Sequence, residues 1–211
     1  MKGSGTTFII AIAIIGLVLG GIIISTPPQT PTNNEGETSA DVSEDPALVN
    51  RAGAPRIGNE SAKVKIVIFS DYLCPYCKTL HEKLNEILDA NPDTVSLTSR
   101  TFLIHPQADI LHRAAEAANK QGKFKEMNDE LFGADEDPTE SEVIDMANKI
   151  KLNINQFKSD LNSDAAKSAV AGDDETAKQL GLGGTPSVYI NEKYIDDPSN
   201  IESIINSELG K

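Results

Sequence analysis

The two cysteines of the chain, Cys74 and Cys77, lie two residues apart in the stretch SDYLCPYCKTLHEKL. Residues at this spacing share one face of a helix, so their sulfur atoms can reach disulfide distance with little distortion. Three kinds of chemistry use such a pair: a structural disulfide, part of a metal site, or a dithiol that exchanges disulfide bonds. The choice among them decides what the protein does.

The sequence weakens two of these alternatives. A structural disulfide across so short a loop would constrain the unfolded chain very little. A metal site usually needs three or four protein ligands, and the chain has only these two cysteines. His81 could join them as a third ligand, but we expect a lone histidine on a helix to be exposed to solvent. The pair therefore favours redox chemistry.

The elements around the pair suit that chemistry. Val64 to Phe69 reads as a buried strand, and apolar residues at helical spacing follow the cysteines. At the N-terminus of a helix, unpaired backbone N–H groups and the positive end of the dipole stabilise a thiolate. Pro75 suits the first turn. We therefore expect Cys74 to be the exposed nucleophile and Cys77 to be the shielded resolving thiol.

The pattern of elements in residues 61–211 predicts an α/β domain with helices inserted in its middle. A second strand is predicted within residues 94–104. Helices are predicted in residues 108–132, broken near Gly122, and in residues 155–162 and 164–180. Capping boxes at Thr139 and Ser199 open two further helices, and residues 185–195 read as a hairpin of two short strands.

The N-terminal part predicts a membrane anchor and a tether. Residues 8–24 are apolar and uncharged, close to the roughly 20 residues that span a bilayer as a helix. We expect residues 1–25 to be an uncleaved anchor, with a cleaved signal peptide as the alternative, and the remainder to lie outside the cytoplasm. Residues 26–60, rich in Pro, Thr and acids, are expected to form a disordered linker, and residues 61–211 a single domain.

Composition excludes one broad class of function. The chain of 211 residues carries a formal net charge of −13. A general nucleic-acid-binding protein would need a basic face, so we expect no nucleic-acid partner.

Three segments resemble successive blocks of the DsbA-like thiol–disulfide oxidoreductases. The segments are VKIVIFSDYLCPYCKTL, IHPQADILHRAAEAANKQGKF and GLGGTPSVYIN. The resemblance implies a thioredoxin fold with a helical insertion at about residues 107–180. It covers the chain from about Arg56 to the C-terminus. C-P-Y-C alone is only moderately specific, whereas the ordered set of three blocks is far more so.

The resemblance also implies roles for individual residues. Cys74 matches the attacking thiol and Cys77 the resolving thiol, with Pro75 and Tyr76 between them as supporting residues. Pro186 matches a cis-proline beside the redox-active disulfide, although an ordinary trans proline starting an edge strand is the alternative from the sequence alone. Thr185 matches the residue that offers its backbone to an extended substrate segment.

One position departs from the family pattern. Many members have a buried acid six residues before the first cysteine, which moves protons to or from the resolving thiol, and this chain has Ile68 there. Asp71 reads as a loop residue and is not an evident replacement. His105 reads as a turn residue and His112 as an ordinary helical residue, and neither is expected to be catalytic.

The resemblance implies an extracytoplasmic enzyme that introduces disulfides through a mixed disulfide with Cys74. Its expected partners are unfolded or cysteine-containing secreted proteins and a membrane reoxidase of the quinone-linked type. It needs no cofactor or metal, and we expect a monomer. The alternatives are a reductase or isomerase of the same fold and a membrane-tethered chaperone for metal or peptide. The direction of exchange stays open.

Overall fold

The computed structural model describes residues 42–134 and 139–211. Its centre is one five-stranded sheet in the order β1-β3-β2-β4-β5. Strands β2 and β3 are parallel, and the other neighbouring pairs are antiparallel. The strands are Arg56–Ile57 (β1), Val64–Ser70 (β2), Val95–Thr101 (β3), Ser187–Ile190 (β4) and Lys193–Ile195 (β5).

Helices cover this sheet and fill the long connection between β3 and β4. The helices are Pro46–Val49 (α1), Pro75–Ala90 (α2), Asp109–Asn119 (α3), Phe124–Leu131 (α4), Glu140–Lys149 (α5), Ile154–Leu161 (α6), Asp164–Gln179 (α7) and Ile201–Leu209 (α8). This order confirms the predicted α/β layout, a thioredoxin fold with a helical insertion formed by α3 to α7.

Local sequence signals explain some of the helix boundaries. Gly122, with φ of 67°, separates α3 from α4 as predicted. Thr139 and Glu142 form the predicted capping box of α5. The predicted box at Ser199 is wrong, because the Ser199 hydroxyl donates to Asp197 and α8 begins only at Ile201.

The sheet sorts its side chains onto two faces because successive residues of a strand point to opposite sides. Ile66 and Ile68 belong to the larger apolar cluster, which includes residues of α2, α8 and the inserted helices. Val67 and Phe69 belong to the smaller cluster on the other face, together with the end of α7 and α1. Every residue of β2 except Lys65 is buried.

The predicted linker is wrong from residue 42 onward. Residues 42–55, here called the N-terminal arm, pack on the domain, and Val49 of the arm is fully buried. The Ser43 amide donates to the Leu180 carbonyl (2.9 Å), and Tyr194 of β5 donates its backbone N–H to the Glu44 carboxylate (2.8 Å). The arm is mostly polar, but its few apolar residues are enough to hold it in place, because they pack on the smaller apolar cluster of the sheet.

A buried ionic network fixes this arm to the sheet. Arg100 of β3 donates from Nη1 to the carbonyls of Leu48 and Val49, at 2.9 Å each. Its Nε donates to Asp173 of α7 at 2.7 Å. Arg51 also pairs with Asp173, at 2.8 Å. Ion pairs and hydrogen bonds, as well as apolar contacts, therefore hold the arm on the domain.

The predicted anchor, residues 1–25, and the linker up to residue 41 lie outside the described residues. Within residues 42–134 and 139–211, no helix is long and apolar enough to cross a membrane.

Candidate active site

The two cysteines lie at the start of α2, directly after β2 and a three-residue link. Cys74 is the N-cap residue of α2, and Pro75 occupies the first helical position as predicted. Cys77 is fully buried, whereas Cys74 is 7% exposed. The prediction of an exposed Cys74 is therefore wrong, since the loop before β4 contacts its sulfur atom. Cys74 is nevertheless the more accessible thiol.

The environment of Cys74 favours its thiolate. A hydrogen bond from the Cys77 side chain is the largest cause that lowers the pKa of Cys74, to about 5. Burial opposes the shift, and hydrogen bonds with the Thr185 side chain and from the backbone N–H groups of Cys77 and Tyr76 assist it. These N–H groups belong to the first turn of α2, which the sequence identified as a thiolate-stabilising position.

Cys77 has the opposite environment. Its hydrogen bond with Cys74, followed by burial, raises the pKa of Cys77 well above the usual range of a thiol. One thiol of the pair is therefore ionised at neutral pH while the other keeps its proton. A proton must leave or return to Cys77 each time a disulfide between the two sulfurs forms or opens.

We expect the Cys74 thiol to titrate near pH 5, and Cys77→Ala to raise this pKa because the variant removes the hydrogen bond that lowers it most. The folded pKa lies below the unfolded value of about 8.5. The thiolate therefore stabilises the reduced protein fully above that value, and this stability is lost as pH falls through about 5. Ultraviolet absorbance of the thiolate against pH measures the titration.

The matched control for this titration is Glu82→Ala, at an exposed position of the same helix, which should leave the pKa of Cys74 unchanged. Titration of the native Cys74 near the ordinary value of about 8.5 would contradict the expectation.

The loop before β4 lies against the reactive thiol. The Thr185–Pro186 peptide bond is cis, as predicted. The carbonyl oxygen of Thr185 lies 3.4 Å from Cys74 Sγ. The Ser187 hydroxyl donates to the Gly184 carbonyl at 2.7 Å and closes the turn. The structure thus brings Cys74, Cys77, Thr185 and Pro186 into one site.

An open groove of about 390 Å³ begins beside the cysteines. Tyr76 is 76% exposed at its rim, and Pro186 forms another part of its wall. Its lining is mainly apolar and consists of Tyr76, Thr79, Leu80, Lys83, Pro186, Asp197, Pro198 and Ser199. The groove joins both members of the predicted site, the C-P-Y-C turn and the cis-proline loop.

Asp71 is a positioning residue that the sequence did not reveal. Its carboxylate is fully buried and accepts hydrogen bonds from the backbone N–H groups of Leu73, Ile104 and His105, at 2.7–2.8 Å. It therefore ties the link before Cys74 to the chain after β3. His105 caps a short 3₁₀ turn, in keeping with its prediction as a turn residue.

Within the described part of the chain, no group of three or more His, Cys, Asp and Glu side chains could hold a metal ion. His81, considered above as a third ligand, is buried, which contradicts the expectation of an exposed helical histidine. Its two ring nitrogens lie within hydrogen-bond distance of Asn128 and Asp129.

Comparisons with known proteins agree with this geometry. The thioredoxin family model matches residues 51–206. A probable disulfide bond formation protein D of Bacillus cereus is 31% identical over 170 residues, which cover 74% of this chain and 78% of that protein. A solved thioredoxin-like oxidoreductase from Silicibacter pomeroyi is 28% identical, with a TM-score of 0.66, covering 78% of this chain and 97% of the other.

Sodium/proton antiporters are also similar over the same region. NhaA 3 of Salinispora tropica is 28% identical over 155 residues, which cover 70% of this chain but 23% of the antiporter. The chain therefore spans about a quarter of the length of such relatives.

Proposed function

The chain belongs to the thioredoxin family, among the DsbA-like thiol–disulfide oxidoreductases, and from this premise we propose that it introduces disulfides into proteins outside the cytoplasm. One observation carries the proposal: Cys74 lies at the N-terminus of α2, beside the fully buried Cys77 and 3.4 Å from the Thr185 carbonyl of the cis-proline loop. This environment lowers the pKa of Cys74 and raises that of Cys77. Such asymmetry suits one thiol for leaving and attack and the other for resolution.

In the proposed reaction, a client thiolate attacks Cys74 Sγ of the Cys74–Cys77 disulfide. The bond between the two cysteines breaks, and Cys77 leaves and takes up a proton. A second client thiolate then attacks the client sulfur of the mixed disulfide, and Cys74 leaves as a thiolate. The client is oxidised by two electrons and the dithiol is reduced.

The stabilised thiolate supports this direction of exchange. Whatever stabilises the reduced form makes the corresponding disulfide a stronger oxidant. The hydrogen bonds that lower the pKa of Cys74 act only on the reduced form. They therefore favour transfer of the disulfide from this pair to a client, as in an oxidase rather than a reductase or isomerase.

The proposed partners follow from the site and the sequence. An extended client segment would lie along the Thr185 backbone, with its side chains in the groove between Tyr76 and Pro186. A membrane protein of the quinone-linked type would reoxidise the dithiol. Residues 1–25 would hold the domain at the membrane on the extracytoplasmic side, and the domain would act as a monomer.

The in vivo redox state of the pair tests the direction. Free thiols are trapped in living cells with an alkylating reagent that adds mass, and Cys77→Ala serves as the single-thiol reference. We expect the pair to be mainly oxidised. A mainly reduced pair would overturn the oxidase assignment and favour a reductase or isomerase. Stoichiometric zinc or copper that is lost on Cys74→Ala would point instead to a metal chaperone.

A further inference from the structure

A small cavity lies beside Cys77, which forms part of its wall. Its volume is about 10 Å³, roughly the space that one water molecule requires. Its wall is formed by residues of β2, β3, α2 and α4 and by Phe132 directly after α4. They are Ile68, Ser70, Cys77, His81, Leu84, Leu97, Ser99, Asn128 and Phe132. The buried thiol thus shares an enclosed and partly polar space with one imidazole.

The hydrogen bonds around His81 define its tautomer. Tyr72 donates its hydroxyl to Asn128 Oδ1 at 2.8 Å, which leaves the Asn128 amide nitrogen to donate to His81 Nδ1 at 3.2 Å. His81 Nε2 lies 3.0 Å from Asp129 Oδ1 and 3.1 Å from Asn85 Nδ2. The carboxylate can only accept, so we assign the hydrogen of the ring to Nε2, which donates it to Asp129. In this tautomer Nδ1 is the nitrogen that can accept a proton.

Asp129 connects this imidazole with the solvent. Its side chain is 43% exposed, and Asn85 donates to the same carboxylate oxygen at 2.9 Å. Although burial opposes ionisation, hydrogen bonds from His81 and Asn85 hold the pKa of Asp129 below its usual value. A carboxylate that stays ionised stabilises an imidazolium beside it.

Cys77 must lose its proton before it can attack, and the cavity offers a route for that proton. Its thiol is fully buried, so water on the surface does not reach it. Ile68, on the cavity wall, has no group that can take a proton. Among the described residues, the titratable groups facing His81 are Cys77 on its own helix, Asp129 on α4 and Tyr72 through Asn128. The strands contribute only serines and apolar side chains.

We propose that His81 accepts the proton of Cys77 across this cavity and returns it, with Asp129 stabilising the imidazolium. The inference rests on the proposed exchange reaction. When the disulfide forms, the Cys77 proton passes to His81 Nδ1, in place of the hydrogen bond from Asn128. The Cys77 thiolate attacks Cys74 Sγ in a mixed disulfide, and the partner sulfur leaves as a thiolate. The cysteines of this chain are oxidised, and the partner is reduced.

The same groups act in reverse when the disulfide opens. A client thiolate attacks Cys74, the bond to Cys77 breaks, and the departing Cys77 sulfur takes the proton back from His81. The alternative is a structural role, since the His81 ring stacks on Phe132 with centroids 4.4 Å apart. A test must therefore measure proton transfer rather than stability alone.

The test separates the two steps of disulfide formation in the full chain. Reduced protein is mixed rapidly with oxidised glutathione and quenched with acid, and mass spectrometry follows the mixed disulfide at several pH values. In His81→Gln we expect mixed-disulfide formation at the native rate and resolution slowed about 100-fold, within the usual range for a lost acid–base group. The native resolution rate should reach a plateau with rising pH, whereas the variant rate should keep rising.

Asp129→Asn provides a second variant at a half-exposed position, which keeps the test decisive if His81→Gln does not fold. We expect resolution slowed about tenfold, and a plateau moved to lower pH because the imidazolium loses its counter-charge. His112→Gln is the matched control, since His112 is a buried histidine that does not line the cavity. Its pH profile should stay native.

The outcomes separate the inference from the proposed function. Native resolution rates and pH profiles in His81→Gln or Asp129→Asn would overturn the role of His81 and leave the exchange reaction intact. Failure of the unaltered protein to form a mixed disulfide would overturn the exchange reaction itself.

Discussion

Replacing Cys74 by alanine is expected to lower the rate of disulfide exchange by about a thousandfold or more, a loss typical of removing a nucleophile. Cys77 cannot substitute for it, because it is fully buried and its pKa is raised. The measurement is the oxidation of a reduced peptide with two cysteines by the oxidised protein, or by the variant treated in the same way. Glu82→Ala, at an exposed position of the same helix, is the control and should react at the native rate.

The partner variant makes this prediction more specific. Cys77→Ala keeps the reactive thiol but cannot resolve a mixed disulfide, so complexes with clients should accumulate and identify those clients. Substantial turnover by Cys74→Ala would contradict the proposed mechanism. It would favour a chaperone that holds peptide in the groove beside Pro186 without exchanging disulfides.

The second large effect concerns stability. We expect Asp173→Ala to lower the free energy of unfolding by about 3–5 kcal/mol, because removing one partner of a buried ion pair leaves the other uncompensated. Two cations, Arg100 and Arg51, pair with this carboxylate, and Thr101 donates its backbone N–H to it at 3.2 Å. Urea unfolding followed by circular dichroism provides the measurement.

The control is an ion pair at the surface. Glu60 pairs with Arg56 at 3.1 Å and is 87% exposed. Replacing Glu60 by alanine should lower the free energy of unfolding by less than about 1 kcal/mol. Asp173→Ala should also release the N-terminal arm, which limited proteolysis near Val49 would detect. A loss of stability as small as that of Glu60→Ala would show that the buried network is dispensable.

The sequence predicted those parts of the fold that depend on local pattern. The apolar run of β2, the break at Gly122 and the Thr139 capping box each act within a few residues, and the structure confirms all three. The cis geometry of Pro186 came from the family resemblance, since a G-T-P segment alone does not distinguish cis from trans.

What the sequence did not reveal depends on distant partners. His81 looked like an exposed helical histidine, and only the approach of α4 buries it against Asn128 and Phe132. The N-terminal arm looked like linker because its composition is polar. Its packing depends on Arg100, about 50 residues away, which no local pattern connects to it.

The contact between Glu44 and β5 has a consequence for aggregation. A strand at the edge of a sheet presents unpaired N–H groups and can recruit an extended chain from another molecule. At the β5 edge, the Tyr194 N–H is already occupied by the Glu44 carboxylate. An unfolded client, which is the kind of chain this protein is proposed to meet, would have to displace that carboxylate before pairing there. The arm therefore discourages clients from extending the sheet at the β5 edge and being retained there.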